Sequence, residues 1–268
     1  GLLLKDAEPF IDHNLISNNS GQFGVIYVWT AEPTISNNRI ISNAADLGST
    51  VYIYNPYNEN NAIFRQNLFT DNSSIESLIN GNGTIISNTI TGNLINSFAS
   101  GSIMRATVRV DGGLLSFRGN NIYANQSQHD VAMAYDTGYP VSASLNYWGT
   151  TNLTEVASRI DDLYGLATYV PLLTEPEPTS PPFLYQLVLD PASPVGIERV
   201  TFHLTFSRPM DQSLNPTVTF GSSSPYSTYH ITDNAQWLDE THWQATYDLS
   251  SLVPRDTHTI RVSGARSV

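Results

Sequence analysis

The first 125 residues repeat one arrangement of apolar and polar positions. Each copy has an apolar residue, an Asn three positions later, Ile or Phe two positions after that Asn, and a second Asn three positions further on. The five copies occupy residues 11–19, 35–43, 64–72, 85–93 and 117–125. Their first asparagines are 24, 29, 21 and 32 positions apart. Internal repetition at this period predicts stacked structural units.

A second apolar stretch follows four of the five copies. Residues 25–29, 51–54, 103–110 and 131–135 are rich in β-branched and aromatic side chains with period two, which is typical of β-strands. Helical periodicity is absent from this region. Strands this short cannot bury their apolar side alone. We therefore predict successive coils of one chain that stack through parallel strand pairing.

The repeated asparagines have a predicted structural role at the corners between strands. Asn tolerates the left-handed backbone conformation that a sharp corner needs. Side-chain amides at equivalent corners can also donate and accept hydrogen bonds along a ladder. A general preference of loops for Asn does not account for the constant phase with Ile and Phe. We expect this ladder to contain Asn14, Asn38, Asn67, Asn88 and Asn120.

These repeats resemble those of the right-handed parallel β-helix superfamily, which includes NosD-like periplasmic proteins and many polysaccharide lyases and epimerases. Residues 143–149, Ala-Ser-Leu-Asn-Tyr-Trp-Gly, resemble the Asn-Trp-Trp-Gly signature that closes such coils, with Tyr147 in place of the first Trp. A sixth coil would add Asn146 to the ladder. Residues 155–163 then predict a helix with Thr154 as its N-cap, and residues 169–173 a last strand. The predicted β-helix domain covers residues 1–173.

The composition changes along the chain, which predicts a second domain. Of 24 asparagines, 22 precede position 153, and residues 174–182 hold four prolines that favour an extended linker. From residue 183 onward, short alternating runs are separated by turn residues at the spacing of a β-sandwich. Phe-Ser-Arg-Pro-Met-Asp at 206–211, with the segments that follow, resembles the bacterial Ig-like domains of secreted and surface-layer proteins. The predicted fold is therefore all-β, a right-handed parallel β-helix followed by an Ig-like β-sandwich over residues 183–268.

The charge balance excludes several classes of partner. The net charge is −12, Lys5 is the only lysine, and the arginines are scattered, so binding to nucleic acid or to an anionic membrane surface is disfavoured. No apolar run is long enough to span a bilayer, and the chain has no cysteine for disulfides or thiolate metal sites. The chain starts at Gly1 and stops abruptly after Arg-Ser-Val. It reads as a processed or excised part of a longer multidomain protein that is secreted or on a cell surface.

Few residues predict catalytic or metal chemistry. The Asp161-Asp162 pair, which resembles the paired carboxylates of β-helix hydrolases, lies on the predicted cap helix, where a solvated surface is the alternative. Asp12-His13 and His129-Asp130 are acid/base candidates or surface turns. The remaining histidines, 203, 230, 242 and 258, have no zinc-site spacing, and no Asp run has calcium-loop spacing. We therefore predict no metal site and no cofactor, although the acidic composition would suit Ca²⁺.

Strand alternation predicts a binding surface instead. If Ile26 and Val28 face the core in the same register as Val51 and Ile53, an exposed stripe forms on the outer face. Its members are Tyr27, Trp29, Tyr52 and Tyr54, followed by Arg105, Thr107 and Arg109. Aromatic rings stack on sugar rings, and Arg pairs with carboxylates. The stripe thus suits a polysaccharide or cell-wall glycan. A cover by a loop such as residues 55–62, or a purely structural role in strand pairing, remains open.

Two functions follow from this surface. The first is an extracellular bacterial module that binds carbohydrate or acts as a rigid spacer. The alternative is a lyase, hydrolase or epimerase on an acidic glycan, in which Arg105 or Arg109 neutralises the sugar carboxylate and Tyr52, Tyr54 or His13 moves protons. No protease or nuclease motif is present.

Overall fold

The computed structural model describes residues 1–54, 62–81, 83–96, 105–110, 115–133, 140–162 and 164–268. The chain divides into two compact units, Gly1–Pro181 and Pro182–Val268. Both are built from β-strands. No helix within the described ranges has the length and apolar character to cross a membrane.

The first unit is a parallel β-solenoid of about six coils. The first coil consists of β1 (Leu2–Lys5), β2 (Phe10–Asp12), β3 (Leu15–Ser17) and β4 (Ser20–Gly21). The second consists of β5 (Ile26–Trp29), β6 (Thr34–Ser36), β7 (Arg39–Ile41) and β8 (Ala44–Ala45). The third consists of β9 (Val51–Tyr54), β10 (Ile63–Arg65), β11 (Leu68–Thr70) and β12 (Ser73–Ser74). The fourth consists of β13 (Ser77–Asn80), β14 (Gly83–Ile86), β15 (Thr89–Thr91) and β16 (Leu94–Ile95).

The later coils have fewer strands. The fifth consists of β17 (Ala106–Val110), β18 (Leu115–Arg118) and β19 (Asn121–Tyr123), and the sixth begins with β20 (His129–Met133) and β21 (Val141–Ser142). Helix α1 (Leu153–Ser158) and the short strands β22 (Ile160–Asp161) and β23 (Ala167–Thr168) follow. Residues 103–104, 134–135 and 163 of the predicted elements lie outside the described residues.

Equivalent strands of successive coils pair in parallel and form four sheets. Sheet A has the order β1-β5-β9-β13-β17-β20-β22, and sheet B the order β2-β6-β10-β14-β18-β21-β23. Sheet C runs β19-β15-β11-β7-β3 and sheet D runs β16-β12-β8-β4. Each of the first four coils therefore visits sheets A, B, C and D in turn, which confirms the predicted stacking of short strands.

The core consists of files of apolar side chains that run along the stack. The two apolar positions of the repeat face inward from sheets B and C, where Ile35, Phe64, Ile40 and Phe69 are fully buried. The sheet A register Ile26↔Val51 and Val28↔Ile53 also matches the prediction. Because each file is continuous, every coil buries the apolar side of its neighbours.

The corners differ from the prediction in one respect. The asparagines of the ladder do not adopt the left-handed conformation; the residue before each of them does. The positive-φ corner residues are His13, Asn18, Asn37, Ser42, Gln66, Asp71, Ser87, Gly92, Gly119, Ala124 and Leu145. After this turn, the backbone N–H and the side-chain Nδ2 of the following Asn point along the stack. The Oδ1 of the equivalent Asn in the next coil accepts a hydrogen bond from each of them. The sequence pattern marks Asn because the hydrogen bonds need that side chain, whereas several residue types tolerate the turn.

The C-terminal end of the solenoid is closed by irregular structure and one short helix. Helix α1 is shorter than predicted, and its N-cap is Asn152, whose Oδ1 accepts from the backbone N–H of Thr154 and Glu155. Val156 of this helix packs in the core. Asp161 lies in β22 rather than on the helix, which corrects its predicted position. Residues 169–173 are not a strand, although the backbone N–H of Leu173 donates to the Asn146 carbonyl at 3.0 Å.

The proline-rich segment lies along the solenoid up to Pro181. The backbone N–H of Glu177 donates to Asn121 Oδ1 at 2.7 Å, and Ser180 Oγ donates to the Gly119 carbonyl at 3.0 Å. Ser180 is fully buried. Part of the predicted linker is thus fixed to the corner that precedes β19.

The second unit contains two antiparallel sheets. Its strands are β24 (Leu184–Asp190), β25 (Arg199–Phe206), β26 (Thr217–Gly221), β27 (Tyr229–Ile231), β28 (Asp233–Trp237), β29 (His242–Asp248) and β30 (Thr259–Ser263). One sheet has the order β24-β25-β29-β28 and the other β27-β26-β30. Phe202, Leu204, Phe220 and Trp243 from these sheets share one core. This arrangement is compatible with the predicted sandwich.

Candidate functional site

Four aromatic side chains form a patch on the outer face of sheet A. In the aromatic patch, Tyr27 pairs with Tyr52 and Trp29 with Tyr54 across β5 and β9. The ring centroids of Tyr27 and Tyr52 are 5.1 Å apart with an interplanar angle of 20°, and those of Trp29 and Tyr54 are 4.9 Å apart with 49°. Tyr27 and Trp29 are 6.0 Å apart at 25°. The four rings therefore form one continuous surface.

The aromatic patch is open to solvent at one side. Trp29 is 40% exposed and Tyr54 38% exposed, whereas Tyr27 and Tyr52 are half-buried. Burial, together with the neighbouring Tyr54, raises the pKa of the Tyr27 hydroxyl. Residues 55–61 of the predicted covering loop, 55–62, lie outside the described residues. Trp29 and Tyr54 offer the accessible ring surface, and the two inner tyrosines support them.

The arginines predicted to extend this stripe are placed differently. Arg109 pairs with Asn80, and Asn80 pairs with Tyr52, so Arg109 is in line with Tyr52 across sheet A. Arg109 is only 8% exposed, however, and its Nη1 lies 3.8 Å from Glu76 Oε2. Thr107 is fully buried. Arg105 precedes β17 and is half-buried. The predicted exposed stripe is therefore wrong at Thr107 and Arg109, because both side chains are buried. The aromatic part and the cationic part do not form one open groove.

The predicted ladder asparagines lie in one file at the corner between sheets B and C. Both the backbone N–H and the Nδ2 of Asn67 donate to Asn88 Oδ1, at 2.9 and 3.0 Å. Asn88 makes the same two bonds to Asn120, and Asn120 to Asn146. The second Asn of each repeat forms a parallel ladder between sheets C and D, through Asn19, Asn43, Asn72, Asn93 and Asn125. These two ladders are structural.

A second group of polar side chains lies near the C-terminal end of the solenoid. This acid–base cluster consists of Thr107, Ser127, His129, Asp130, Arg159 and Asp161. Arg159 Nη1 lies 3.6 Å from Asp130 Oδ2, Thr107 Oγ1 donates to Asp130 Oδ1 at 3.3 Å, and His129 Nε2 lies 3.9 Å from Asp161 Oδ2. A cavity of about 240 Å³ adjoins the cluster.

Burial controls the chemistry of the acid–base cluster. Asp130 is 7% exposed, and this burial raises its pKa to about 6 although Arg159 and Thr107 oppose the shift. Within the described ranges, the buried Nδ1 of His129 has no hydrogen-bond partner. A carboxyl that titrates near neutral pH beside an imidazole can exchange protons with a ligand.

We expect Asp130 to make stability depend on pH. Because its folded pKa of about 6 lies above the ordinary 3.8, the folded state binds this proton more tightly. The stabilisation that this proton gives the folded state is therefore complete below about pH 4 and is lost as pH rises to about 6. The free energy of unfolding should fall by about 3 kcal/mol over this range. Urea unfolding from pH 4 to 7.5 should show this slope for the wild type and not for Asp130→Asn. Asp46→Asn, an exposed carboxyl outside the cluster, should keep the slope; an unchanged slope in Asp130→Asn would contradict the assignment.

Sequence reasoning found part of this cluster. The adjacent pairs His129-Asp130 and Asp161-Asp162 were candidates in the sequence, and His129, Asp130 and Asp161 belong to the cluster. Arg159, Thr107 and Ser127 carry no motif, and only strand pairing of β17, β20 and β22 brings them together. Asp12-His13 lies elsewhere, on the first coil; Ser36, Asn37 and His13 hydrogen-bond the Asp12 carboxylate and lower its pKa to about 2. No group of three metal-ligating side chains occurs among the described residues.

The fold and the two ladders define a β-solenoid protein. A family model described as a right-handed β-helix region matches residues 1–109. No curated protein and no solved structure gives a significant match. The match covers the first coils, which contain the aromatic patch, and ends at Arg109.

Proposed function

We propose that the solenoid is a carbohydrate-binding module of a secreted or cell-surface protein, and that the aromatic patch is its binding surface. The observation that carries the proposal is the continuous outward ring surface of Tyr27, Trp29, Tyr52 and Tyr54 on a rigid parallel sheet. Side chains on sheet strands are held in place, so little entropy is lost when a ligand stacks on them.

The chemistry of the patch favours a neutral sugar face. The axial C–H groups of a pyranose form an apolar face that matches an aromatic ring in size. Arg109 is buried beside Glu76, so it does not offer an exposed partner for a sugar carboxylate. The net charge of −12 also opposes a polyanion. A neutral polysaccharide or cell-wall glycan is therefore the proposed ligand.

A binding assay tests this proposal. The protein should bind a neutral member of a polysaccharide panel, and Trp29→Ala with Tyr54→Ala should weaken binding about tenfold or more, because each stacked ring contributes about 1 kcal/mol. Phe10→Ala removes an exposed aromatic ring from sheet B and should leave affinity unchanged. If no polysaccharide binds, the spacer function remains.

The second unit supports the same setting. Its two antiparallel sheets around one core support an Ig-like domain of the kind found in tandem on bacterial surface proteins. In this proposal it connects or presents the glycan-binding solenoid.

The acid–base cluster favours a second function, a polysaccharide-acting enzyme. The supporting observation is the Asp130 carboxyl, whose pKa is raised and which lines a cavity together with His129. His129 Nε2 in turn lies 3.9 Å from Asp161 Oδ2. A protonated carboxyl can protonate a glycosidic oxygen, and a second carboxylate can assist water. Reducing-end release from the same panel should be lost in Asp130→Asn and kept in Arg105→Ala. Activity that survives Asp130→Asn would remove this assignment.

A further inference from the structure

A proline-rich strap runs back along the solenoid after the chain has passed its C-terminal end. The strap comprises residues 176–181 and has proline at positions 176, 178 and 181. It follows the file of positive-φ corner residues that precede the ladder asparagines. Its contacts are with Gly119 of the fifth coil, Ser87 of the fourth and Gln66 of the third. One short segment therefore touches three successive coils.

Buried polar side chains of the solenoid hold the backbone of the strap. Asn121 is fully buried; its Oδ1 accepts from the backbone N–H of Glu177 at 2.7 Å, and its Nδ2 donates to the Glu177 carbonyl at 3.4 Å. Thr89, which is also fully buried, donates its hydroxyl to the Pro181 carbonyl. Ser180 of the strap is buried to the same extent. These contacts give the strap one defined position on the solenoid.

The composition of the strap favours this docking. Proline restricts φ, so an extended proline-rich segment has few conformations to lose when it docks. Proline also lacks a backbone N–H, so the strap has fewer donors that need a partner. A small number of hydrogen bonds is therefore enough to keep the strap in place.

The strap makes the C-terminal end of the solenoid a closed loop. Before the loop, the backbone N–H of Tyr147 donates to the Asn120 carbonyl at 2.9 Å. After the loop, Glu177 bonds to the adjacent residue, Asn121. The segment between these two anchors contains the cap, which consists of α1, β22 and β23. A segment fixed at both ends gains less conformational entropy when it opens than a free end does.

Without a second anchor, the cap would be the first part of this end to fray. In a solenoid each coil contacts only its neighbours, so a terminal element opens with the smallest loss of contacts. The backbone N–H groups of Asp130 and Val131 donate to the Arg159 carbonyl at 2.7 and 3.3 Å. Fraying of the cap would break these bonds, and with them the contact between the Asp130 and Arg159 side chains.

We infer that the strap is a latch that keeps the cap closed. While the strap is docked, the cap opens only as a loop, and its full detachment also requires release from the third, fourth and fifth coils. The latch therefore couples coils that are not neighbours, and it keeps Arg159 and Asp161 beside β20. It acts on the fold whether or not the acid–base cluster is catalytic.

Native-state hydrogen exchange of the full chain tests the latch. Ser180→Lys places a charge at a fully buried position and should undock the strap. The backbone N–H of Glu177 should then lose its protection, and those of Asp130 and Val156 should exchange about tenfold faster or more. Thr174→Lys introduces the same charge at an exposed position before the strap, and it should change these rates less than about twofold.

A reference amide in the second coil separates the possible results. The backbone N–H of Ala44 donates to the Asn19 carbonyl at 2.9 Å, far along the stack from the cap. Faster exchange at Glu177, Asp130 and Val156 in Ser180→Lys, with Ala44 unchanged, supports the latch. Equal acceleration at Ala44 would show a global loss of stability and would overturn the inference.

Two further results would also overturn it. If Glu177 loses protection in Ser180→Lys while Asp130 and Val156 keep theirs, the strap lies on the solenoid without holding the cap. If Glu177 stays protected in this variant, the buried position of Ser180 does not hold the strap in place.

Discussion

Asn88→Ala is expected to reduce the free energy of unfolding by about 3–5 kcal/mol. Asn88 is fully buried, and its Oδ1 accepts two hydrogen bonds from Asn67. Its Nδ2 also donates to the carbonyls of Phe64 and Ile86, each at 2.9 Å. Alanine removes these partners and leaves the buried backbone N–H of Asn67 without an acceptor. Urea unfolding followed by circular dichroism measures the loss.

Asn14→Ala is the matched control for this change. Asn14 begins the same ladder, but it is exposed, and its own backbone N–H keeps its bond to Asn38. Its replacement should cost about 1 kcal/mol or less. If Asn88→Ala is no more harmful than Asn14→Ala, the ladder does not stabilise the stack.

Gly81→Ala is expected to destabilise the fold by about 3 kcal/mol or more. Gly81 follows β13 with φ of +129°, and a Cβ there would lie 2.4 Å from the Ile53 carbonyl oxygen and 2.7 Å from Ile53 Cβ. The backbone oxygen belongs to the neighbouring coil and cannot move away without breaking strand pairing. Thermal unfolding should show a large decrease in Tm.

Gly165→Ala separates conformational strain from close packing. Gly165 also has a positive φ, +68°, but its Cβ would meet no described atom within 4 Å. Its replacement should cost only about 1 kcal/mol, from the left-handed conformation. Equal losses at the two positions would mean that the approach of Ile53 to Gly81 is unimportant.

The shortest repeat spacing coincides with this close approach. Asn67 and Asn88 are 21 positions apart, while the next pair are 32 apart. The chain between β13 and β14 is too short for a loop, so it turns at Gly81 directly against the coil before it. The variation in spacing is absorbed at two corners, between sheets A and B and between sheets D and A, while the corners at the two ladders keep the same length.

The repeat predicts the solenoid because its spacing specifies both packing and hydrogen bonding. An inward apolar residue and an Asn at a constant separation can be satisfied together only when equivalent corners stack. The same reasoning failed on the left-handed corners, because the residue before Asn varies in type and leaves no pattern. It also failed on Arg109, since alternation gives the side of a strand but not what covers that side.

The sequence by itself determined the number and phase of the coils, the inward files, the asparagine ladder that starts at Asn14 and the outward direction of Tyr27, Trp29, Tyr52 and Tyr54. These properties depend on local periodicity, which one chain displays directly. Only the tertiary structure decided that Arg109 is buried, that Asp130 meets Arg159, and that His129 lies close to Asp161. Those contacts join residues from different coils, and their burial depends on what packs above each strand.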